Sequence, residues 1–120
     1  MSDGAKKGFE QPDESREIGR ATIEMVRLAG ASVARITFAP GWRWSTDMKE
    51  TMATDLCQAH HVGYCLEGGL HVVPDGGGEF DIAPGEAYEI HPGHDAWVTG
   101  DANYVGLEFV PQTAESFVSR

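Results

Sequence analysis

The sequence lacks a long apolar run. Its longest uninterrupted apolar stretch is far shorter than the roughly 20 residues that a membrane-spanning helix needs. The N-terminal stretch MSDGAKKGFEQPDESREIGR mixes charges with glycine and proline and offers no apolar segment of the kind that a secretory signal requires. We therefore expect a soluble protein without a membrane span, located in the cytoplasm.

Cysteine is scarce as well. Cys57 and Cys65 are the only two in 120 residues. In a reducing compartment, two thiols are better explained as core residues, metal ligands or a nucleophile than as a disulfide framework. A bond between the two is the less favoured alternative.

Basic residues are few. Nine lysines and arginines stand against nineteen acidic residues, which gives a formal charge of −10. Such a field repels phosphate backbones and anionic membranes. We expect neither nucleic acid nor a membrane surface as a partner, and solubility is the simplest reason for the acidity.

No segment has the periodicity of a helix of ten residues or more. Fifteen glycines and six prolines instead separate short apolar runs, several of which alternate with polar residues. The predicted strands cover residues 20–28, 31–39, 62–66, 70–72, 80–82, 88–90 and 105–109. Seven or more such strands predict an all-β fold, an antiparallel sandwich or barrel.

The chain is predicted to form one domain. Residues 1–17 contain only Phe9 as a large apolar group beyond Met1, so we expect a flexible N-terminal arm there. Residues 18–110 form the predicted barrel domain, and residues 111–120 a C-terminal tail on the surface. Within the domain, residues 45–54 have no clear period and suit a loop or a short helical turn.

Two glycine-rich stretches resemble the motifs of the cupin superfamily. GYCLEGGLHV, residues 63–72, is similar to the second half of its motif G-x5-H-x-H-x3-4-E-x6-G, with Gly68 as the last glycine. GEAYEIHPGHDAWV, residues 85–98, is similar to G-x5-P-x-G-x2-H-x3-N, with Gly85 and Gly93 in the glycine places and His91 where the family has proline. The resemblance covers residues 20–110 and implies a small antiparallel jelly-roll barrel that holds a divalent metal near its mouth.

The resemblance also implies a set of metal ligands. Counting back from Gly68 puts His61 at the place of the family's glutamate. The same register puts Cys57 and Asp55 at the places of its two histidines. In the second motif His94 is the imidazole that follows the turn, although strict counting falls on Ala96. The implied ligands are thus Cys57, His61, His94 and Asp55.

Strand parity gives partial support to this register. Side chains alternate across a strand, so His61 and His60 point to opposite faces, and an extended approach would put Asp55 and Cys57 on the His61 side. Residues 54–59 also suit a loop, in which parity does not apply. His60 therefore stays an alternative ligand.

Thiolate, imidazole and carboxylate donors together favour zinc, with iron, copper, manganese and nickel as alternatives. A barrel without metal is the competing interpretation, in which Cys57 and Cys65 fill the core and hydrogen bonds satisfy the histidines. His71 and His91 are expected at the surface and outside the site.

Aromatic residues flank the predicted mouth. Trp42 and Trp97, more than Trp44, are expected to line a small-molecule pocket together with Tyr88. Tyr88 and Glu108 could also support the ligands or transfer protons, although a wall tyrosine and an exposed glutamate are the simpler interpretation. Asp95 is expected to cap the turn beside His94.

Two functions compete on these grounds. The first is a metal-dependent enzyme that acts on a small organic molecule, of the lyase, isomerase, hydrolase or dioxygenase type, with non-redox chemistry favoured for a zinc–thiolate site. The second is a cupin that binds or senses a small ligand, with or without metal. A Cys–His nucleophile is a further alternative. The resemblance also implies a homodimer that pairs through sheet edges.

Overall fold

The computed structural model describes residues 3–109 of the chain. This part of the chain contains nine strands and two short helical turns. The strands are β1 (Glu14–Ile18), β2 (Ala21–Arg27), β3 (Ser32–Phe38), β4 (His61–Glu67), β5 (Gly69–Pro74), β6 (Phe80–Ile82), β7 (Ala87–Ile90), β8 (His94–Thr99) and β9 (Tyr104–Glu108). The helical turns are α1 (Trp44–Asp47) and α2 (Lys49–Met52). No helix in this described range is long and apolar enough to cross a membrane.

The strands form two sheets. The larger sheet has the order β1-β2-β3-β9-β4-β7 and the smaller one the order β6-β5-β8. Every neighbouring pair is antiparallel. The predicted all-β antiparallel fold is thus confirmed.

Two strands lie where the sequence patterns indicated none. β1 begins at Glu14, inside the stretch for which we expected a flexible arm, and pairs with β2 along its whole length. β8 has no alternating pattern because its first three residues, His94 to Ala96, are all buried. The predicted tail, residues 111–120, lies outside the described residues.

The core lies between the sheets. In β2 and β3 every second side chain is buried, as with Ile23, Met25 and Ile36, which is the pattern of strands with one solvated face. The two helical turns add Trp44 and Met52 to the same apolar cluster.

Strands β4 and β9 invert the expected pattern. Tyr64 and Leu66 of β4 are 39% and 43% exposed, and Phe109, just after β9, is 45% exposed, whereas the alternate residues of both strands face inward. The interpretation of Glu108 as an exposed glutamate is therefore wrong, since its side chain is buried. Apart from Tyr104, small and polar residues occupy the inner face of these central strands, which leaves space for a polar site inside the fold.

Candidate metal centre

Three predicted ligands meet inside the fold. Cys57, His61 and His94 are all buried, and one ligand atom from each lies within 4.8 Å of the other two. Cys57 Sγ is 3.4 Å from His61 Nε2, and the rings of His61 and His94 meet edge to face with their centroids 5.1 Å apart. These positions are 37 residues apart at most, and the fold alone brings them together.

Backbone hydrogen bonds hold Cys57 beside His94. The amide N–H of Cys57 donates to the carbonyl of His94 at 2.8 Å, and the amide N–H of His94 donates back at 3.2 Å. His61 begins β4, whose inner face points to the same place. The cluster thus joins a loop residue to the first residues of two strands, one from each sheet.

Asp55 lies apart from this cluster. Its side chain is 93% exposed, and its nearest recorded partner is Lys49 Nζ at 3.4 Å. His60 also lies outside the cluster, since its Nε2 is 2.7 Å from the carboxylate of Glu89 on β7. Of the two neighbouring histidines, the structure therefore brings His61 to the thiol.

Glu108 is the carboxylate behind the cluster, the less favoured of the two interpretations that the sequence left open for it. His61 Nδ1 donates to Glu108 Oε1 at 2.8 Å, and the hydroxyl of Tyr88 donates to Glu108 Oε2 at 2.9 Å. A carboxylate on one imidazole nitrogen fixes the ring and its tautomer, so that Nε2 of His61 is left for a ligand. A signal was available in Gly106, two residues before Glu108 on the same face of β9, because a glycine inside a strand indicates that other atoms approach closely.

The ring of His94 is oriented by the backbone. Its Nδ1 donates to the carbonyl of His91 at 2.8 Å. Because a carbonyl oxygen can only accept, Nδ1 of His94 carries a proton, and Nε2 is the ring nitrogen that can bind a ligand. Both imidazoles therefore present Nε2 toward the sulfur.

The electrostatics favour a thiolate at Cys57. Burial by itself raises the pKa of this thiol, but hydrogen bonds from His61 and His94 outweigh burial and lower the pKa to about 6. Burial lowers the pKa of His61, but the charges and hydrogen bonds of Glu108 and Cys57 together outweigh burial and raise that pKa to about 10. Thiolate and carboxylate thus flank one imidazole.

The donor set fits a tetrahedral metal ion. With zinc–sulfur and zinc–nitrogen bonds of roughly 2.3 and 2.0 Å, tetrahedral donors are about 3.3–3.6 Å apart. The observed 3.4 Å between Cys57 Sγ and His61 Nε2 falls in this range. Three protein donors leave one position open for water or another small ligand.

A small cavity adjoins the two imidazoles. Its remaining wall is mostly apolar and aromatic, formed by Phe38, Trp42, Trp44, Leu70, Tyr88, Ile90, Ala96, Tyr104 and the carboxylate of Glu108. The solvent-sized space inside is about 20 Å³, enough for about one water molecule. Neither indole N–H, of Trp42 or of Trp44, has a hydrogen-bond partner among the described residues.

Two of the three predicted pocket residues line this cavity, and the third does not. Trp42 and Tyr88 line the cavity, and Trp44 stands there in place of Trp97. Trp97 packs elsewhere, with the guanidinium of Arg43 4.4 Å from its ring centroid and the ring of His71 at 4.8 Å. Adjacent strand residues face opposite ways, and the inward place on this part of β8 belongs to Ala96.

Asp95 ties the cavity wall to β8. Its carboxylate accepts from the backbone N–H of Ser45 at 3.1 Å, from the Ser45 hydroxyl at 2.8 Å and from Arg43 Nε at 3.3 Å. We expected Asp95 to cap the turn beside His94, but apart from the adjacent N–H of Ala96 at 2.9 Å its carboxylate holds the first turn of α1. The segment that carries Trp42 and Trp44 is fixed in this way.

Replacing Asp95 by alanine is expected to lower the free energy of unfolding by about 1–2 kcal/mol, as for other lost helix caps. Urea denaturation of Asp95→Ala beside Asp95→Asn measures it. The asparagine keeps an acceptor for the Ser45 amide and should lose less. Equal losses for both variants would contradict a role in capping α1.

Comparisons with known proteins support the fold. No family model and no curated protein matches the sequence. Among solved structures, ectoine synthase from P. lautus matches with a TM-score of 0.66 and 17% identity, over 95% of this chain and 83% of that chain. An RmlC-like cupin from Shewanella frigidimarina matches with 0.59 and 19%, over 93% and 94%.

A sugar phosphate isomerase of the cupin superfamily, from Silicibacter pomeroyi, matches with a TM-score of 0.61 and 21% identity, over 88% of this chain and 74% of that chain. At such identities the likeness concerns the fold. Gly68 and Gly93, the two glycines of the motif resemblance, both have positive φ. The chain therefore has the cupin fold.

Proposed function

We propose that the chain is a metal-binding cupin whose Cys57, His61 and His94 hold one divalent ion, and that this ion binds a small ligand or substrate. The observation that carries the proposal is the convergence of three buried donor atoms within 4.8 Å, with a carboxylate behind one of them. Most side-chain hydrogen bonds in proteins go to the backbone or to water, so three buried side-chain donors that face one another are unusual.

Zinc is the ion that this donor set favours. A soft thiolate with two imidazoles and an open fourth position matches catalytic zinc sites. The lowered pKa of Cys57 supplies the thiolate near neutral pH. A bound divalent ion would polarise a carbonyl or activate a water molecule at the open position.

The residues around the open coordination position orient the ligands and limit what can bind there. Glu108 holds His61 in the orientation that leaves Nε2 free, and Tyr88 stays protonated because burial, first of all, and the charge of Glu108 raise its pKa. The aromatic wall limits the space to about one water molecule and keeps bulk solvent out. A larger ligand would require the wall around Trp42 and Trp44 to move.

The two indole N–H groups suit a ligand that carries hydrogen-bond acceptors, such as a carbonyl or carboxylate oxygen. Unpaired buried donors cost free energy that an acceptor would recover. The names ectoine synthase and sugar phosphate isomerase describe enzymes of small molecules, which agrees with a small organic substrate here.

A thiol nucleophile is the second candidate. Cys57, His61 and Glu108 form a chain of 3.4 Å and 2.8 Å contacts, the arrangement that activates a cysteine through a base and an orienting acid. His94 favours the metal, because a second imidazole at the sulfur adds a ligand that a nucleophile does not need.

Metal analysis of the untagged protein tests the proposal. We expect about one zinc equivalent that survives dialysis. Loss of a residue that only supports a metal ligand weakens metal binding by about 10–100-fold. Replacing a ligand itself, His61 or His94, by alanine should weaken binding at least as much. Cobalt substitution should give a thiolate-to-cobalt absorption band that Cys57→Ser abolishes.

His71→Ala is the control, since His71 lies outside the cluster and should keep the metal. A wild-type protein without retained metal, or a His94→Ala variant that retains as much as the wild type, would contradict the metal centre. Rapid alkylation of Cys57 by iodoacetamide that zinc does not slow would favour the nucleophile instead.

A further inference from the structure

A second group of metal-ligating side chains lies on the outer face of the large sheet. It consists of His60, Glu89 and His91, which we call the outer triad. One ligand atom from each lies within 4.8 Å of the other two. His60 is partly buried, and the other two residues are exposed. None of them belongs to the cluster around Cys57.

Strand register explains why these three residues meet. β4 and β7 pair antiparallel, with His61 opposite Ile90 and Val62 opposite Glu89. Continuing the register by one residue puts His60 opposite His91. Residues opposite one another share a face, and neighbours along a strand face opposite ways. His61 thus points inward to the buried cluster, whereas the outer triad points out.

The observed contacts agree with this placement. His60 Nε2 is 2.7 Å from Glu89 Oε2, and the rings of His60 and His91 are stacked with centroids 5.1 Å apart and an angle of 24° between their planes. Two neighbouring strand backbones fix the spacing of the three side chains. Only side-chain rotations are needed to direct their donor atoms at one point.

The chemistry of the donors decides which ligand they suit. Two imidazole nitrogens and one carboxylate oxygen are typical ligands of Zn²⁺, Cu²⁺ and Ni²⁺ and complete a three-donor site open to water. In a chain of formal charge −10, the surrounding field also favours a cation.

His71 shows the contrasting arrangement. Its Nδ1 is 2.7 Å from Asp81 and its Nε2 is 2.8 Å from Glu79. The two carboxylates therefore flank opposite edges of the ring and cannot converge with it on one ion. A histidine with acidic neighbours is thus not sufficient for a metal site. The outer triad differs from His71 because its three donor atoms can be directed at one ion.

We propose that His60, Glu89 and His91 form a second divalent-metal site, separate from the buried one. Its metal is exchangeable, because the ligands are largely exposed and few atoms cover them. Binding requires the His60–Glu89 contact to lengthen from 2.7 Å toward the about 3.3 Å that separates donors on a tetrahedral ion.

The two sites are adjacent but can be tested separately. The carbonyl of His91 accepts the hydrogen bond from His94 Nδ1. His91→Ala removes the imidazole of the outer triad and keeps this carbonyl. The buried cluster is therefore preserved when the outer triad is broken.

Calorimetric titration with Zn²⁺ alone, on chelator-treated protein, tests the proposal. We expect two binding events in the wild type, the weaker of which is lost or weakened by about 10–100-fold or more in His60→Ala and in His91→Ala. His71→Ala should keep both events. In His94→Ala the weaker event should remain, so failure of the buried site leaves the outer one measurable.

A second readout locates the ion. Zinc should shift the ring NMR signals of His60 and His91 at the weaker event and leave those of His71 in place. An unchanged weaker event in His60→Ala and His91→Ala, or an equal loss in His71→Ala, would overturn the proposal, since zinc would then bind the acidic surface without a defined site.

Discussion

Glu108→Ala is expected to lower the free energy of unfolding by about 3–5 kcal/mol in chelator-treated protein, the usual cost of removing one partner of a buried charge pair. The side chains of His61 and Glu108 are only 7% and 5% exposed, and their atoms are 2.8 Å apart. Without the carboxylate, a buried imidazole loses the charge that raises its pKa, and the hydroxyl of Tyr88 loses its acceptor. Urea denaturation measures the change.

The chain contains a matched control for this variant. Glu89 pairs with His60 at 2.7 Å, but the two side chains are 53% and 38% exposed. Both are histidine–glutamate pairs of similar length, and Glu89 has neither the burial of Glu108 nor a hydrogen bond from Tyr88. Exposed pairs contribute about 0–1 kcal/mol, so Glu89→Ala should change stability little. Equal losses in the two variants would show that burial of the His61–Glu108 pair is not the cause.

Glu108 also supports the metal centre, because it orients His61. Loss of a carboxylate behind a metal-bound imidazole costs about 10–100-fold in metal affinity. Glu108→Gln keeps an oxygen that can accept from His61 Nδ1 and should retain most of the affinity. A zinc affinity unaffected by Glu108→Ala, measured by competition with a chelator, would mean that His61 does not bind the ion through the orientation seen here.

The strands could be predicted from the sequence where apolar alternation is regular, as in β2 and β3. The pattern of β4 and β9 gave their period but not which face is buried. Large apolar residues mark the buried face in most strands, yet Tyr64 and Leu66 lie on the outer one. In β9 the same kind of pattern makes an exposed Glu108 the simpler interpretation, although the structure buries it.

The candidate site could be predicted in part through the motif resemblance. The structure brings Cys57, His61 and His94 together, but Asp55 does not reach them. Counting in the motif register placed Asp55 there, and the parity that supported this register required an extended backbone before Cys57. The chain instead bends there, after Ala53 with a φ of 59°. Sequence spacing carries no parity through such a loop.

Gly63 is a position at which the site leaves no room for a side chain. It lies on β4 opposite Tyr88 on one side and Glu108 on the other. A hydrogen bond of 2.9 Å joins those two side chains across the strand between them. A residue with a side chain at position 63 would point into the path of that bond.

Gly63→Ala is expected to lower the free energy of unfolding by about 3 kcal/mol or more, at or above the upper end of the usual range for an overfilled core. The added Cβ would collide with the carbonyl oxygen of Leu107, and it would lie 2.7 Å from the ring and hydroxyl of Tyr88. The carbonyl belongs to the backbone of β9 and cannot rotate away. Relief requires the strands to separate, which also displaces Glu108 from His61.

Gly76→Ala is the control, because a Cβ at that position meets nothing within 4 Å. Its stability should stay within about 1 kcal/mol of the wild type, on the stabilising side. If displacement of Glu108 is the mechanism, Gly63→Ala should also weaken zinc binding although residue 63 offers no ligand. A Gly63→Ala protein as stable as Gly76→Ala, with zinc affinity unchanged, would mean that Tyr88 and Glu108 do not meet across β4.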